Sequence, residues 1–324
     1  MSFKKNFSCW ILTEGAAGML SQAVGLAESI GLKPIEQKKV ALGRPWNFLP
    51  TGIIPLTFSV LDSKSDTLEE PWPDFIISCG RMSIIPSIII KKKYSKKVIT
   101  IHIQDPKINI KNFDFIICPE HDGLSGANVI TTKGAIHCIT PLKTANAANK
   151  NKSFFGDIEE KDILTVLLGG PNKYFSYSEV NLVNLITKLK KAINNNNNIK
   201  LIIVPSRRTP VNFIQKLKNE LGENHFFLSK LDQEKYFASL ELANYLLVTC
   251  DSTSLISEAI STGKPVFIEK FKTKRKSKRF SMFHDNLEKM NVVKEFNGEL
   301  TSWSYKIIED TKQVGETIRR KLGI

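Results

Sequence analysis

Short, unbroken apolar runs recur through both halves of the chain, and each ends in glycine, proline, hydroxyl or charged residues. "DFIISCG" at 74–80, "KVITIHI" at 97–103 and "FDFIICP" at 113–119 are followed in the second half by "ILTVLLGGP", "KLIIVPS" and "YLLVTC". Runs of this length without polar alternation suit strands buried on both faces of a parallel sheet. Amphipathic stretches such as "MLSQAVGLAESIGL" and "SEVNLVNLITKLKKAI" fall between such runs and supply the crossover helices. The alternation predicts an α/β protein with two Rossmann-like, open parallel-sheet domains facing a central cleft. The expected layout is an N-terminal domain over 1–145, a polar linker over 146–160 within the segment 142–162, and a C-terminal domain over 161–305. A final helix over 306–324 is expected to pack back across the interface.

In a doubly wound sheet, ligands bind outside the carboxyl ends of the strands. The residues there are "TEGAAG" at 13–18, "CGR" at 79–81, "QDP" at 104–106 and "PEHD" at 119–122 in the first half. In the second half they are "GGP" at 169–171, "SRRTP" at 206–210 and "DSTS" at 251–254. Each also has a plainer reading. Gly15 and Gly18 can simply form a tight turn, Asp105 before Pro106 can be a turn former, and Glu120, His121 and Asp122 can be a solvated loop. Three ionisable residues directly after a buried strand nevertheless suit general acid or base work, which makes Asp105, Glu120 and His121 the catalytic candidates. Gln22, Arg81 and Gln104 join Gly15 and Gly18 as residues facing the cleft on the acceptor side. Gly169 and Gly170 offer backbone amides near a helix start, and Ser206, Arg207 and Arg208 can neutralise a diphosphate. Asp251, Ser252, Thr253 and Ser254 stand where a helix begins, so hydroxyls there can cap the helix and contact a phosphate at once.

Composition narrows the class. At 324 residues and 42% hydrophobic content the chain can bury a large core, and no apolar run approaches the roughly 20 residues of a membrane-spanning helix. The N-terminal apolar run is broken at Glu14 and reads as strand, turn and helix rather than as a cleavable signal. Five widely spaced cysteines without a CxxC read as buried thiols in a reducing compartment. The net charge of +14 is spread along the chain, with one concentration in "EKFKTKRKSKRF" at 269–280. That cluster suits phosphate groups or an anionic membrane surface, with Phe271 and Phe280 as docking residues. Nucleic acid is disfavoured as a partner, because no stacking ladder, zinc spacing or recognition-helix signature is present. No DxD-like motif ends a strand, so no metal and no cofactor are expected.

"IHIQDPKI", "FDFIICPEHDGLSGANVITTKGAIH", "LLGGPNKYFSYS", "PSRRTP", "VTCDSTSLISEAISTGKPVFI" and "RFSMFHDNL", in this order and nearly end to end, resemble the mitochondrial fission ELM (elongated mitochondria) family. The resemblance implies the GT-B glycosyltransferase fold. The stretch at 246–268 is also similar to the donor-binding region of glycosyltransferases that build peptidoglycan and lipid A precursors, where a glutamate contacts the ribose hydroxyls. Glu258 is the matching residue. Those enzymes often carry a histidine in the first glycine loop, whereas Gly18 here is followed by Met19. Two functions follow as expectations. One is a metal-independent glycosyltransferase using a nucleotide-sugar donor, with a lipid-linked or cell-envelope acceptor, in the cytoplasm or at the inner face of a membrane. The other is a catalytically inactive scaffold of the same fold that recruits protein partners at a membrane, as plant relatives do.

Overall fold

The structure, a computed structural model, describes residues 6–94, 96–156, 158, 160–229 and 232–324. The chain divides into two compact units, Met1–Cys138 with Glu309–Ile324, and Ile139–Ile308.

The first unit is built on six parallel strands: β1 (Cys9–Thr13), β2 (Ile35–Lys39), β3 (Phe75–Cys79), β4 (Ile99–Ile103), β5 (Phe115–Pro119) and β6 (Val129–Thr132). They lie in the order β2-β1-β3-β4-β5-β6, so the winding reverses between β1 and β3. Helix α1 (Ala17–Ile30) follows β1, and α2 (Ile84–Ile89) follows β3 and runs into a π-helical turn, Ile90–Tyr94. β1 and β3 are buried along their whole length, as continuous apolar runs require. Ile11, Ile77, Ile101 and Ile117 from four neighbouring strands pack with Ala23, Leu26 and Ile30 of α1 into one core.

The second unit carries β7 (Asp162–Leu168), β8 (Ile199–Pro205), β9 (Phe226–Phe227), β10 (Tyr245–Thr249), β11 (Val266–Glu269) and β12 (Val293–Glu295). Their order is β12-β11-β10-β7-β8-β9, all neighbours parallel, with the reversal between β7 and β10. The helices of this unit are α3 (Pro141–Lys150), α4 (Lys152–Phe155), α5 (Glu179–Asn195), α6 (Val211–Leu221), α7 (Gln233–Leu242), α8 (Thr253–Ile260) and α9 (Lys278–Lys289). The last helix, α10 (Asp310–Leu322), belongs to the first unit. Each unit thus presents a reversal point at which strand ends diverge, the place where open α/β sheets hold ligands.

Three readings of the sequence change. The segment 142–162, expected to hold the linker 146–160, carries α3 and α4. Thr140 caps α3 by accepting from the Lys143 N–H, Pro141 takes the first helical position, and only Thr144 and Ala147 are buried. A helix that buries so narrow a stripe reads as polar sequence. The hydroxyl of Thr144 donates to Glu241 of α7, and the division between units falls at residues 138 and 139. Residues 157 and 159, within the expected linker, lie outside the described residues. At the other end of the chain, 304–309 are not helical, and the helix begins at Asp310. The Asp310 carboxylate accepts from the N–H groups of Lys133 and Gly134, and α10 lies so close to α1 that a Cβ on Gly315 would stand 2.4 Å from Ser29 Oγ.

Candidate functional site

In the second unit, the turn after β7 is held from both sides. The Gly169 N–H donates to Thr249 Oγ1 at 2.8 Å and the Gly170 N–H to Asp251 Oδ2 at 2.7 Å, each reaching the end of β10. Tyr177 donates to Asp251 Oδ1 at 2.9 Å. Both glycine amides are therefore engaged, and α5 starts only at Glu179, so these amides are not the helix-start phosphate cradle expected from sequence. The glycines serve close approach instead. A Cβ on Gly169 would stand 2.1 Å from Asp251 Oδ2, and one on Gly170 would stand 2.3 Å from Arg208 Cβ.

Asp251 is 2% exposed, and burial pushes its carboxyl above the usual range against the opposing pull of the Gly170 amide, Thr249, Tyr177 and Arg208. Its oxygens face protein groups, with Arg208 Nη2 3.7 Å away. Ser206 donates to the Gly169 carbonyl at 2.6 Å, and Arg208 Nη1 donates to the Gly170 carbonyl at 3.2 Å. Arg207 is exposed and makes no hydrogen bond or ion pair with another described residue. The structure thus joins Gly169, Gly170, Ser206, Arg208 and Asp251 in one network. Thr249, Tyr177 and Asn172 complete it, the last donating to the Asp251 carbonyl at 3.3 Å. Asn172 and Tyr177 had one local signal in the sequence, the polar and aromatic "PNKYFSY" that follows the glycines, while Thr249 closes the apolar run "YLLVT".

Beside this network α8 begins. Ser252 is its N-cap and accepts from the Leu255 N–H at 3.4 Å. Thr253 and Ser254 are half-buried in the first turn, where backbone N–H groups have no acceptor within the helix and the helix dipole favours an anion. Glu258 lies a turn and a half further on, 6% exposed, and its Oε2 accepts from the Tyr236 hydroxyl of α7 at 2.6 Å. Gly263, at φ +76°, turns the chain after α8 toward β11, and the next residue, Lys264, donates through Nζ to the carbonyls of Leu240 and Glu241 near the end of α7. Burial lowers the Lys264 ammonium to a pKa of about 8.

In the first unit, the strand-end residues are mostly occupied by their own loops. Gly15, at φ +84°, donates to Thr13 Oγ1, and Gln22 of α1 turns inward to donate to the Gly18 carbonyl at 3.0 Å. Arg81 donates to the carbonyls of Leu49 and Asn47 and so holds a loop. Gln104, at φ +86°, donates its N–H to the Ile117 carbonyl. Asp105 is bound by the Lys107 N–H and ammonium. Partial burial raises its carboxyl, but Lys107 outweighs that and holds it below the usual range. Glu120 pairs with Lys133 at 2.8 Å on the surface. The His121 side chain is 2% exposed, with Nε2 3.8 Å from Asp122 Oδ1, and Cys118 donates to Asp122 Oδ2 at 3.4 Å.

In the basic segment 269–280 the two phenylalanines pack within the unit. Phe271 is 4% exposed and packs edge-on against Tyr177 with centroids 5.0 Å apart, while Phe280 packs edge-on against Phe175 at 5.1 Å. Phe271 is buried in the unit's core and Phe280 is half-buried against it, while Lys272, Lys274 and Arg275 are exposed. Among the described residues, no helix is long and apolar enough to cross a membrane.

Two Rossmann-like parallel sheets in one chain, each with polar residues at its reversal point, define a GT-B-like α/β protein. UDP-GlcNAc 2-epimerase from Methanocaldococcus jannaschii, solved in complex with UDP-GlcNAc and UDP, shares this fold with a TM-score of 0.55 at 12% identity, covering 98% of this chain and 99% of that one. Within that class the chain belongs to the mitochondrial fission ELM1 family, whose model matches residues 17–322. It is 26% identical to mitochondrial fission protein ELM1 of Arabidopsis thaliana over 82% of this chain and 67% of the relative. It is 27% identical to protein RP120 of Rickettsia prowazekii (strain Madrid E) over 97% of this chain and 98% of the relative.

Proposed function

We propose that the second unit binds a nucleoside diphosphate sugar at the start of α8. The observation that carries this reading is the combination at one strand end of an anion-favouring helix start at Thr253 and Ser254 with a nearly buried carboxylate, Glu258, one and a half turns along the same helix. A diphosphate suits the first, and two vicinal ribose hydroxyls suit the second. Arg207 and Arg208, on the turn after β8, supply cations for the diphosphate, Arg207 being the less committed of the two. A fold shared with a protein solved with UDP-GlcNAc supports the same ligand class, while the function itself rests on the site.

The reaction this serves is metal-independent glycosyl transfer from the nucleotide sugar to a hydroxyl acceptor, lipid-linked or part of the cell envelope. The departing diphosphate is stabilised by the helix start and the arginines, and the acceptor proton goes to a general base. Of Asp105, Glu120 and His121, the histidine, beside the Asp122 carboxylate, has the surroundings of an oriented base. A second reading is favoured by a specific observation. Asp105 and Glu120 are tied up by lysines and His121 is enclosed, which suits a protein that binds the nucleotide sugar without turning it over and acts as a scaffold.

Thermal-shift screening against UDP-, GDP-, ADP-, CMP- and dTDP-linked sugars tests the binding claim. A ligand at 100 times its dissociation constant stabilises the fold by about 2.7 kcal/mol. A shift selective for one nucleotide and lost in Glu258→Ala is the expected result, and no shift with any donor would remove the reading. Product formation with the nucleotide so found, or its absence across acceptors, separates transferase from scaffold.

A further inference from the structure

The first unit holds a hollow of about 520 Å³ that the nucleotide-sugar reading does not use. Its walls include Phe58, Trp72 and Tyr94. Phe58 and Tyr94 lie face to face with centroids 5.4 Å apart and planes 10° from parallel, and Trp72 leans on Tyr94 at 5.2 Å. The cluster is fixed from behind by Trp10, edge-on to Trp72 at 5.7 Å, and by the Trp72 indole N–H donating to Glu70 Oε1 at 3.0 Å. Tyr94 remains 50% exposed. Trp72 and Tyr94 precede β3 and β4, so this wall stands at the opposite strand ends from Gly80 and Gln104.

The rim carries Asp62, Asp66, Glu69 and Glu70. Three of these already accept a hydrogen bond, Asp62 from the Lys64 N–H, Asp66 from the Lys39 N–H and Glu70 from the Trp72 indole. None of the four forms an ion pair with a lysine or arginine among the described residues, although the chain has 46 Lys and Arg against 32 Asp and Glu. No lysine or arginine among the described residues lines the hollow. An aromatic face beside several carboxylates that have no cationic partner among the described residues, on a chain otherwise rich in cations, complements one kind of group. A guanidinium stacks on an aromatic face and offers a planar fork of N–H donors to carboxylates. The hollow is open and larger than a cationic head alone, so the occupant brings its chain with it.

We propose that this hollow is a docking site for an arginine-bearing segment of a peptide partner, the guanidinium lying against Tyr94 and Trp72 and bonded to the acidic rim. The inference goes beyond the proposed function and stands without it. The test uses the full chain and fluorescence anisotropy with a labelled peptide of arginine, glycine and serine, alongside counterparts with lysine or glutamate in place of arginine. The net charge of +14 opposes general attraction of a cationic peptide, so saturable binding reports a local site. The arginine peptide is expected to bind saturably and more tightly than the lysine one. Tyr94→Ala and Glu69→Gln are each expected to weaken it roughly threefold to tenfold, Glu69→Gln with an unchanged melting temperature. Absence of saturable binding, equal affinity for the lysine peptide, preference for the glutamate peptide, or affinity untouched by both variants would overturn the assignment.

Discussion

The Tyr236 hydroxyl donates to Glu258 Oε2 at 2.6 Å, joining α7 to the carboxylate of α8 on which the nucleotide-sugar reading rests. Glu258 is 6% exposed, so this bond fixes the direction of a carboxyl group that water scarcely reaches. Tyr236→Phe removes the donor to a buried carboxyl oxygen and is expected to cost about 1–3 kcal/mol in urea unfolding. Its nucleotide affinity should fall as well, because the carboxylate loses its orientation. Unchanged stability together with unchanged affinity would show that the phenol does not position Glu258.

The two glycines after β7 are there for packing. Gly170→Ala places a methyl 2.3 Å from Arg208 Cβ and 2.5 Å from the Arg208 carbonyl carbon, contacts that backbone must move to relieve. A loss of about 1–3 kcal/mol is expected in equilibrium unfolding. Gly52→Ala is the control, since its nearest neighbour is 4.0 Å away and a surface change of this kind stays within about 0.5 kcal/mol. Equal effects of the two substitutions would contradict the packing role.

Lys264 gives a pH dependence with a definite sign. Burial lowers its folded pKa from 10.5 to about 8, so between those values the unfolded chain binds more protons and stability rises with pH. The penalty for enclosing the ammonium is present below about pH 8 and is relieved above it. The stability of the native chain minus that of Lys264→Met should therefore increase between pH 8 and pH 10, as read by urea unfolding at each pH. Groups common to both proteins cancel in the difference. A flat difference would mean that the ammonium is not desolvated.

The sequence showed what is local and periodic. Runs such as "DFIISCG" and "YLLVTC" are apolar throughout because their strands are covered on both faces, and they located β3 and β10 directly. β2, "IEQKK", escaped because it is an edge strand with three of its five residues exposed, so its composition is that of a loop. α3 escaped for the related reason that it buries only Thr144 and Ala147. In the site, the order of hydroxyls and acid at 251–258 was readable as a strand end passing into a helix. The partners were not. Tyr177 meets Asp251 across 74 positions and Tyr236 meets Glu258 across 22, and no local pattern marks such pairs. The engagement of the Gly169 and Gly170 amides depends on the same distant groups, which is why a packing turn read as a phosphate cradle.

The most direct test of the central claim is an amide chemical-shift map of the ²H,¹⁵N-labelled chain titrated with the nucleoside diphosphate sugar selected by thermal shift. The account predicts saturable changes at the amides of Thr253 and Ser254 and in the turn around Arg207, with affinity reduced at least about tenfold in Glu258→Ala, the cost of losing a hydrogen-bonded charge. Changes confined to other strand ends, or an unaltered α8 start at saturating ligand, would contradict it.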